Sequence, residues 1–491
     1  MTQGGGLLQL VAQGKQDVFL TGNPQVSWFK MVYRRYTNFA LESQQMYFDG
    51  TPNFGQKITC LVQRAGDLLG PIFLRVTLPQ LYLSSTKKPV GYVNSPGHAL
   101  IQEITVQIGE QEIDKQTGEW MEIYSSLTTD ASQLAGFQQM IQQRPGYPFL
   151  SYQNNAPDVS GNNPTLPNYI FSRENGNPLV DISGVPVISS YISPGSIGPY
   201  PQNYDDPIMG PQTLYIPLRF WFNKNPGLYL PLLAMQYHPV RINITLAPLQ
   251  SMYYTKDLYL QETDPTKCGT NAVLPAQIDI QMWGDYIFLD VPERRRFVSA
   301  PLEYLIDQVQ YTPPLAIPAN SRNATLRMDF NHPIKEFIWV LQRNVMENRH
   351  EYFNWSSLGC YEMEMLGRTH QIPNRTDLMV NAVIQLDGQD RFHARDAAYF
   401  RLVQPYQRHT TIPLDRYIYV YSIALRPEDI QPSGSLNASR IDTLVLQLGL
   451  ASSSTNYCTS ALFGDMTAHI YATNYNVLRV IDGYAGLLFS V

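Results

Sequence analysis

The chain has 491 residues, a length that fits two large β domains as well as three ordinary ones. Charged residues make up 15% and aromatic residues 12%, with 32 tyrosines and 36 prolines. This composition favours β structure with long ordered loops, either in an ordinary β-rich protein or in one that buries surface in stable interfaces. The net charge of −6, without a long Lys/Arg run, predicts no direct binding of nucleic acid.

The four cysteines are far apart in the sequence and form no CxxC pair: Cys60, Cys268, Cys360 and Cys458. Neither a disulfide framework nor a zinc site is expected from this spacing, and reduced thiols are the default. The N-terminal MTQGGGLLQLVAQGK lacks the basic and apolar regions of a signal peptide. No run of about 18 apolar residues predicts a membrane span.

Alternation of apolar and polar residues recurs along the chain and predicts half-buried strands. In chain order the clearest are KITCLV, FLRVTL, ITVQI, RINITL and TLVLQLGL, at 57–62, 73–78, 104–108, 241–246 and 443–450. Helical signals are few. The best, Glu119–Gln143, predicts two short helices broken near Thr128–Ser132, and VPERRRFV at 291–298 is a weaker candidate. The chain is therefore predicted to be mostly β.

Residues 144–212 form a long insertion in the first half of the chain. The segment holds 12 of the 36 prolines and is rich in Asn, Gly, Ser and Tyr, which is loop composition. A loop of this length is usually functional or disordered. Its six tyrosines favour an ordered surface loop, because disordered segments are poor in aromatic residues.

A weak internal repeat indicates that the chain contains two copies of one β fold. Ile-Pro-Leu begins at Ile216 and again at Ile412, an offset of 196 residues. Each tripeptide is followed by a predicted aromatic strand, a proline-bearing corner and an alternating strand. A further strand comes next, QIDIQMW in the first half and TAHIYA in the second. The predicted boundary falls near VPERRRFVSAPLEY, at 291–304.

The sequence offers little for catalysis or for a metal. The eight histidines form neither H-x-H nor H-x-D, and the H-x-x-D at His393–Asp396 would send its two side chains to opposite faces of a strand. No H-E-x-x-H, G-x-S-x-G, P-loop or G-x-G-x-x-G is present. No enzymatic activity, metal or cofactor is therefore predicted.

One corner of the second half stands out because it is charged where a plain hairpin would suffice. RPEDIQPSGSLNASRID, at 426–442, separates two apolar strand-like runs. Its prolines and glycine predict turns, and its arginines have acidic candidate partners nearby. It is predicted to be a shape-fixing element whose candidate residues are Arg426, Glu428, Asp429, Asn437, Arg440 and Asp442. Among five N-x-[ST] sequons, Asn323 is the best candidate for glycosylation.

Six long segments, in order from Gln16 to the end, strongly resemble the major capsid proteins of nucleocytoplasmic large DNA viruses. They begin with QDVFLTGNPQVSWFKMVYRRYTNFALES, NPGLYLPLLAMQYHPV and VPERRRFVSAPLEYLIDQVQ. They continue with LDGQDRFHARDAAYFRLVQPYQRHTTIP, SIALRPEDIQPSGSLNASRID and YNVLRVIDGYAGLLFS. The resemblance implies an all-β double jelly roll, made of two tandem eight-stranded sandwiches with long loop insertions and few short helices.

The resemblance also implies a domain plan and a set of partners. Residues 1–25 would be an N-terminal arm, 26–292 the first jelly roll with its 144–212 insertion, and 293–491 the second. Three copies would form a pseudo-hexagonal homotrimeric capsomer of an icosahedral shell, with the charged corner as a candidate trimer contact. Neighbouring capsomers, minor capsid and penton proteins, and an internal virion membrane reached by the arm are the expected partners. The protein would be assembled in the host cytoplasm and located in the virion.

Two other classes of function stay open on the sequence alone. A tandem β-sandwich lectin could use the Tyr/Asn-rich 144–212 loop to bind sugar. A jelly-roll enzyme is the third reading, which the missing ligand motifs disfavour.

Overall fold

A computed structural model describes residues 5–12, 14–27, 29–31, 33–82, 89–143, 212–254, 277–319, 321–348, 350–357, 376–414, 416–451 and 464–489. The predicted 144–212 insertion, apart from its last residue, lies outside these ranges. So do Cys268, Cys360 and Cys458.

Strands are the main regular elements of the described residues. Those of the first half are β1 Phe39–Met46, β2 Phe48–Asp49, β3 Lys57–Leu61, β4 Leu68–Leu78, β5 Leu81–Tyr82, β6 Pro89–Tyr92, β7 Ile101–Ile108, β8 Gln111–Thr117, β9 Gln212–Pro217, β10 Val240–Leu246, β11 Tyr253–Tyr254 and β12 Asp279–Leu289. Those of the second half are β13 Leu302–Tyr311, β14 Leu315–Ile317, β15 Asn323–Arg327, β16 Pro333–Arg343, β17 Met379–Leu386, β18 Gln389–Asp390, β19 Arg395–Asp396, β20 Tyr419–Ser422, β21 Leu436–Asn437, β22 Leu444–Leu450, β23 Met466–Ile481 and β24 Tyr484–Leu487.

The helices of the described residues are short: α1 Gly5–Val11, α2 Lys15–Thr21, α3 Pro96–Ala99, α4 Gly118–Thr128, α5 Ala131–Ile141, α6 Trp221–Lys224, α7 Val291–Ser299, α8 Asn344–Asn348 and α9 Gln404–Arg408. Three 3-10 turns lie at Pro226–Leu228, Leu249–Ser251 and Ala438–Arg440, and a π turn at Tyr399–Val403 precedes α9. The predicted pair of helices is confirmed as α4 and α5. Thr117 caps the first by accepting from the Trp120 amide, and Asp130 caps the second by accepting from the Ser132 amide. The VPERRRFV helix is confirmed as α7.

The two halves have the same sheet order. In the first half, one sheet runs β1-β12-β4-β9 and the facing sheet β2-β3-β10-β7-β8. In the second half, the order is β13-β23-β16-β20 facing β15-β22-β17-β18. Replacing β1 by β13, β12 by β23, β4 by β16 and β9 by β20 converts one sheet into the other. The predicted all-β double jelly roll is thereby confirmed, and so is the internal duplication.

The Ile-Pro-Leu tripeptide, however, does not mark equivalent positions. Ile216 lies inside β9, whereas Ile412 precedes β20, which begins only at Tyr419. The predicted aromatic strand after Ile216 is also wrong. Trp221–Lys224 is one helical turn, because three consecutive aromatic side chains, at 220–222, are all buried and a strand would turn every second one outward. The alternating strands that follow, β10 and β22, are equivalent as predicted.

Each jelly roll has its own apolar core between its sheets. The predicted inward faces of the strands are buried, for example Leu74, Val76 and Leu78 of β4 and Leu444, Leu446 and Leu448 of β22. Burying one such side chain stabilises the fold by roughly 1.5–3 kcal/mol. The first core also contains residues from the end of the chain, Leu478, Val480 and Ala485.

Residues Met1–Phe39 form a unit of their own, separate from Ala40–Val491. This unit carries α1 and α2, and many of its large apolar side chains are exposed. Phe29 is 100% exposed and Met31 91%. Among the described residues, no helix is both long and apolar enough to cross a membrane.

Candidate functional site: the joint and the charged corner

The joint is the apolar cluster in which α4 of the first jelly roll packs on β16, β20 and β23 of the second. Its members are Trp120, Ile123, Tyr124, Leu127, Ile338, Val340, Phe353, Trp355, Tyr417, Ile418, Val420 and Tyr471. The joint explains why β16 is buried on both faces. Phe337 and Trp339 point into the second core, and Ile338 between them points into the joint.

Glu122 is the charged centre of the joint, and its side chain is fully buried. Its carboxylate lies 2.6 Å from His98 Nδ1 and 2.9 Å from Arg416 Nη2, and it accepts from Ser95 Oγ at 2.9 Å and Gln143 Nε2 at 2.6 Å. Burial alone would raise the pKa of Glu122, but Arg416 and His98 outweigh it and lower the pKa to about 2. The group is therefore ionised, and its charge links α4 to the segment that leads into β20.

Glu119 makes a second polar link across the joint. Its carboxylate lies 2.6 Å from His469 Nδ1 and accepts from the Tyr471 hydroxyl at 2.7 Å and Trp355 Nε1 at 3.1 Å. Burial would lower the pKa of His469, but Glu119 raises it. Two glutamates one helical turn apart on α4 thus fix the second jelly roll to the first.

The charged corner, Arg426–Asp442, is held together by local hydrogen bonds. Ser433 Oγ accepts from the Arg426 amide at 2.9 Å and donates to the Arg426 carbonyl at 3.0 Å, which closes the loop between them. Asn437 Oδ1 accepts from the Ser439 amide at 3.1 Å and caps the 3-10 turn. Ser439 Oγ in turn accepts from the His332 amide at 2.9 Å.

The predicted corner residues do not act as one ion-pair cluster. Arg426 pairs with Asp429 at 3.6 Å on the surface. Arg440 and Asp442 are exposed, and neither forms an ion pair with another described residue. The prediction that Arg440 pairs with an acidic residue of the corner is therefore wrong for a single chain. The reason is that Glu428 turns inward. Its carboxylate lies 2.8 Å from His409 Nδ1 and accepts from the Thr410 amide at 3.0 Å.

The residues beneath the corner were missed by the sequence analysis. Lys335 is buried, donates to the Pro427 carbonyl at 2.9 Å and pairs with Asp307 at 2.9 Å. The neighbouring Glu336 is also buried, and its Oε2 lies 3.1 Å from His409 Nε2. A signal for them exists, because a Lys-Glu pair inside the apolar run PIKEFIWVL requires buried partners.

The remaining predicted residues lie apart from these networks. Asn323 is exposed at the start of β15, where it faces Gly449 of β22, and it stays a predicted glycosylation site. His393 and Asp396 are exposed. Cys60 is buried in the first core as a free thiol, and burial together with Asp49 raises its pKa to about 12. Within the described ranges, no three His, Cys, Asp or Glu side chains are placed to hold a metal ion.

Family comparisons divide the chain at the same place as the sheets do. A family model described as major capsid protein N-terminus matches residues 27–290, and one described as large eukaryotic DNA virus major capsid protein matches residues 293–486. The major capsid protein of Phaeocystis pouchetii virus is 34% identical over 99% of both chains. That of Paramecium bursaria Chlorella virus 1 is also 34% identical, again over 99% of both.

Solved structures with the same fold are known. The crystal structure of PBCV-1 VP54, fitted into a reconstruction of the virophage Sputnik, matches with a TM-score of 0.69 and 29% identity over 95% of this chain and 100% of that chain. The Faustovirus major capsid protein shares the fold, with a TM-score of 0.64 and 13% identity over 96% of this chain and 94% of that chain. This chain belongs to the major capsid protein family of large eukaryotic DNA viruses, and it is a structural protein of the viral capsid.

Proposed function

We propose that three copies of this chain form a homotrimeric capsomer with a pseudo-hexagonal outline, and that such capsomers tile an icosahedral shell. The observation that carries this proposal is the repeated sheet order within one rigidly joined pair of sandwiches. Three chains with two similar domains each bring six similar domains together. A unit with six similar domains has a pseudo-hexagonal outline, and such units tile a surface as hexagons do. A closed trimer also agrees with the preference of stable homo-oligomers for closed symmetry.

Solution mass tests the trimer directly. A chain of 55.8 kDa gives a trimer of 3 × 55.8 ≈ 167 kDa. Light scattering should yield this mass, and electron micrographs should show a hexagonal outline. A monomer at every concentration would overturn the proposal.

The domain plan follows the same proposal: an arm at 1–25, a first jelly roll at 26–292 with the 144–212 insertion, and a second at 293–491. The arm would contact minor capsid proteins and an internal virion membrane, and penton proteins would fill the vertices. Exposed apolar side chains in this part of the chain, such as Leu20 and Val11, support a docking role. Deleting residues 1–25 should leave trimers intact and abolish flotation with lipid vesicles. Flotation that persists would contradict the membrane contact.

The protein acts by assembly in the host cytoplasm, without catalysis, cofactor or direct binding of nucleic acid. The charged corner would be a shape-fixing element at a trimer contact, since Arg440 and Asp442 are exposed and available to a second copy. The loop on which a lectin function would depend lies outside the described residues, and no observation favours that alternative. A glycan array that stays blank is the expected result.

A further inference from the structure

The imidazole of His409 lies between two carboxylates from different parts of the fold. Its side chain is fully buried. Nδ1 is 2.8 Å from Glu428 Oε1 of the charged corner, and Nε2 is 3.1 Å from Glu336 Oε2 of β16. A neutral imidazole carries one N–H, so one of its nitrogens would turn a lone pair toward a carboxylate. Only the imidazolium is attracted to both, and His409 therefore bridges the corner to the sheet as a cation.

His409 lies in a network of charged and polar side chains. Charged and polar groups from several elements belong to this network or border it. They are Lys335 and Glu336 on β16, Asp307 on β13, Lys224 on α6, Arg408 on α9, Thr473 and Tyr475 on β23, and Arg426, Glu428 and Asp429 on the corner. Arg408 donates to the Leu425 carbonyl, and Arg426 is paired with Asp429. Among the other groups in direct ion-pair contact, the carboxylates of Asp307, Glu336 and Glu428 lie against Lys224, Lys335 and His409.

We propose that protonated His409 holds the charged corner on β16 through its contacts with Glu428 and Glu336, an arrangement called the latch below. Deprotonation of this imidazole in alkaline solution loosens the corner. The inference concerns a single chain and does not depend on the trimer. If His409 were neutral, the buried carboxylate of Glu336 would lose one of its cationic neighbours and keep Lys335 as the other. The closure through Ser433, the bond from Lys335 to Pro427 and the pairing of β21 with β16 do not depend on His409, so the loosening would be centred on the Glu428 contacts.

The direction of the pH effect follows from the folded environment. Burial would lower the pKa of His409, but Glu336 and Glu428 outweigh burial and raise it from 6.5 to about 9. Because the folded pKa is the higher one, the stabilisation is fully present below pH 6.5 and is lost as the pH rises through about 9. Burial would raise the pKa of Glu336, but His409 and Lys335 lower it, so this carboxylate stays ionised throughout that range.

Two measurements on the full chain test the latch. Ring-labelled histidine followed by NMR should show one resonance that titrates near pH 9 and is absent from His409→Gln. Hydrogen exchange of residues 426–442, corrected for intrinsic chemistry, should accelerate by about tenfold or more between pH 6.5 and pH 9.5 in the wild type. His409→Gln should remove this pH dependence. The matched control His393→Gln, an exposed histidine of the same jelly roll, should retain it.

Either of two outcomes overturns the latch: a His409 midpoint at or below 6.5, or a pH-dependent loosening that His409→Gln leaves unchanged. If His409→Gln does not fold, Glu428→Gln provides the second test. It removes one of the two carboxylates, so the His409 midpoint should move down toward 6.5, and the corner should loosen at a lower pH. A midpoint that stays near 9 in Glu428→Gln excludes Glu428 as the group that His409 holds.

Discussion

The connection from β9 to β10 in the first jelly roll and that from β20 to β22 in the second occupy the same place in the fold but are anchored differently. The first is held by large apolar side chains that enter the core: Leu218, Phe220, Trp221, Phe222, Leu230, Leu232 and Met235. In the second, the fully buried apolar side chains are small, at Ala424 and Ala438, and the larger Ile423, Leu436 and Ile441 are only partly buried against the core. Its anchors are the charged contacts of Glu428 and the Pro427 carbonyl.

The two modes of anchoring differ in their physical character. Apolar anchoring is non-directional and insensitive to pH, whereas a buried charge needs a partner in a defined position and titrates with it. The second connection is therefore anchored by fewer large buried apolar side chains than the first and by buried charges instead, and its outer charges, Arg440 and Asp442, are exposed. Three substitutions test how the two connections are anchored, and one tests the buried charge of the joint.

Trp221→Ala should have the largest effect. Trp221 is 1% exposed in the apolar connection, so its loss opens a cavity that should lower the free energy of unfolding by about 3–5 kcal/mol. Denaturant titration measures the change. Gln236→Ala, at an exposed side chain in the same connection, is the control and should change stability by no more than about 0.5 kcal/mol. Equal losses in both variants would refute the apolar anchor.

Glu122→Gln should lower the free energy of unfolding by about 3 kcal/mol near neutral pH, because Arg416 would be left without its buried counterion. The folded pKa of Glu122, about 2, is below its ordinary value of 4.5. Its stabilisation is therefore present above pH 4.5 and is lost as the pH falls through about 2. Thermal unfolding from pH 7 to pH 2 should show a shallower acid slope in the variant. Parallel slopes would show that Glu122 does not set the acid stability of the joint.

Lys335→Met should lower the free energy of unfolding by about 2 kcal/mol. The variant removes the charge that pairs with Asp307 and the donor to the Pro427 carbonyl, but Lys224 still faces Asp307. Lys115→Met is the matched control, because the Lys115–Glu103 pair is about one-third exposed and should contribute less than about 1 kcal/mol. A loss no larger than that of the control would mean that the buried charges do not anchor the corner.

Arg440→Ala should have the smallest effect on the isolated chain, within about 0.5 kcal/mol, because the side chain is exposed. If the corner is a trimer contact, the yield of assembled trimer should nevertheless fall. Light scattering measures that yield, and Arg327→Ala, at another exposed arginine of the second jelly roll, is the control. Normal trimers from Arg440→Ala would remove Arg440 from the contact.

The strands could be predicted because their signal is local. Alternation marks β4, β10 and β22, and a capping threonine and a capping aspartate mark α4 and α5. The equivalence of the halves was also visible, but only through the order of the elements. The shared Ile-Pro-Leu was misleading, because a tripeptide does not specify its position in a strand.

The charged networks could not be predicted from the sequence because they join distant segments. His409 meets Glu336 and Glu428 only once β16 and the corner are folded together, and Glu122 meets Arg416 across the joint. No spacing rule connects such residues. What the sequence does contain is the anomaly of charges inside the apolar run of β16, which shows that partners exist without identifying them.

The hairpin of β23 and β24 has a consequence for how the chain is made. Leu478, Val480 and Ala485 complete the core of the first jelly roll, yet they lie nearly 190 residues beyond the end of β12 at Leu289. At about 5–20 residues per second, a ribosome delivers them roughly 10 s or more after the rest of that domain. The domain that is synthesised first therefore closes last, and its nascent form presents an apolar gap until the final hairpin arrives.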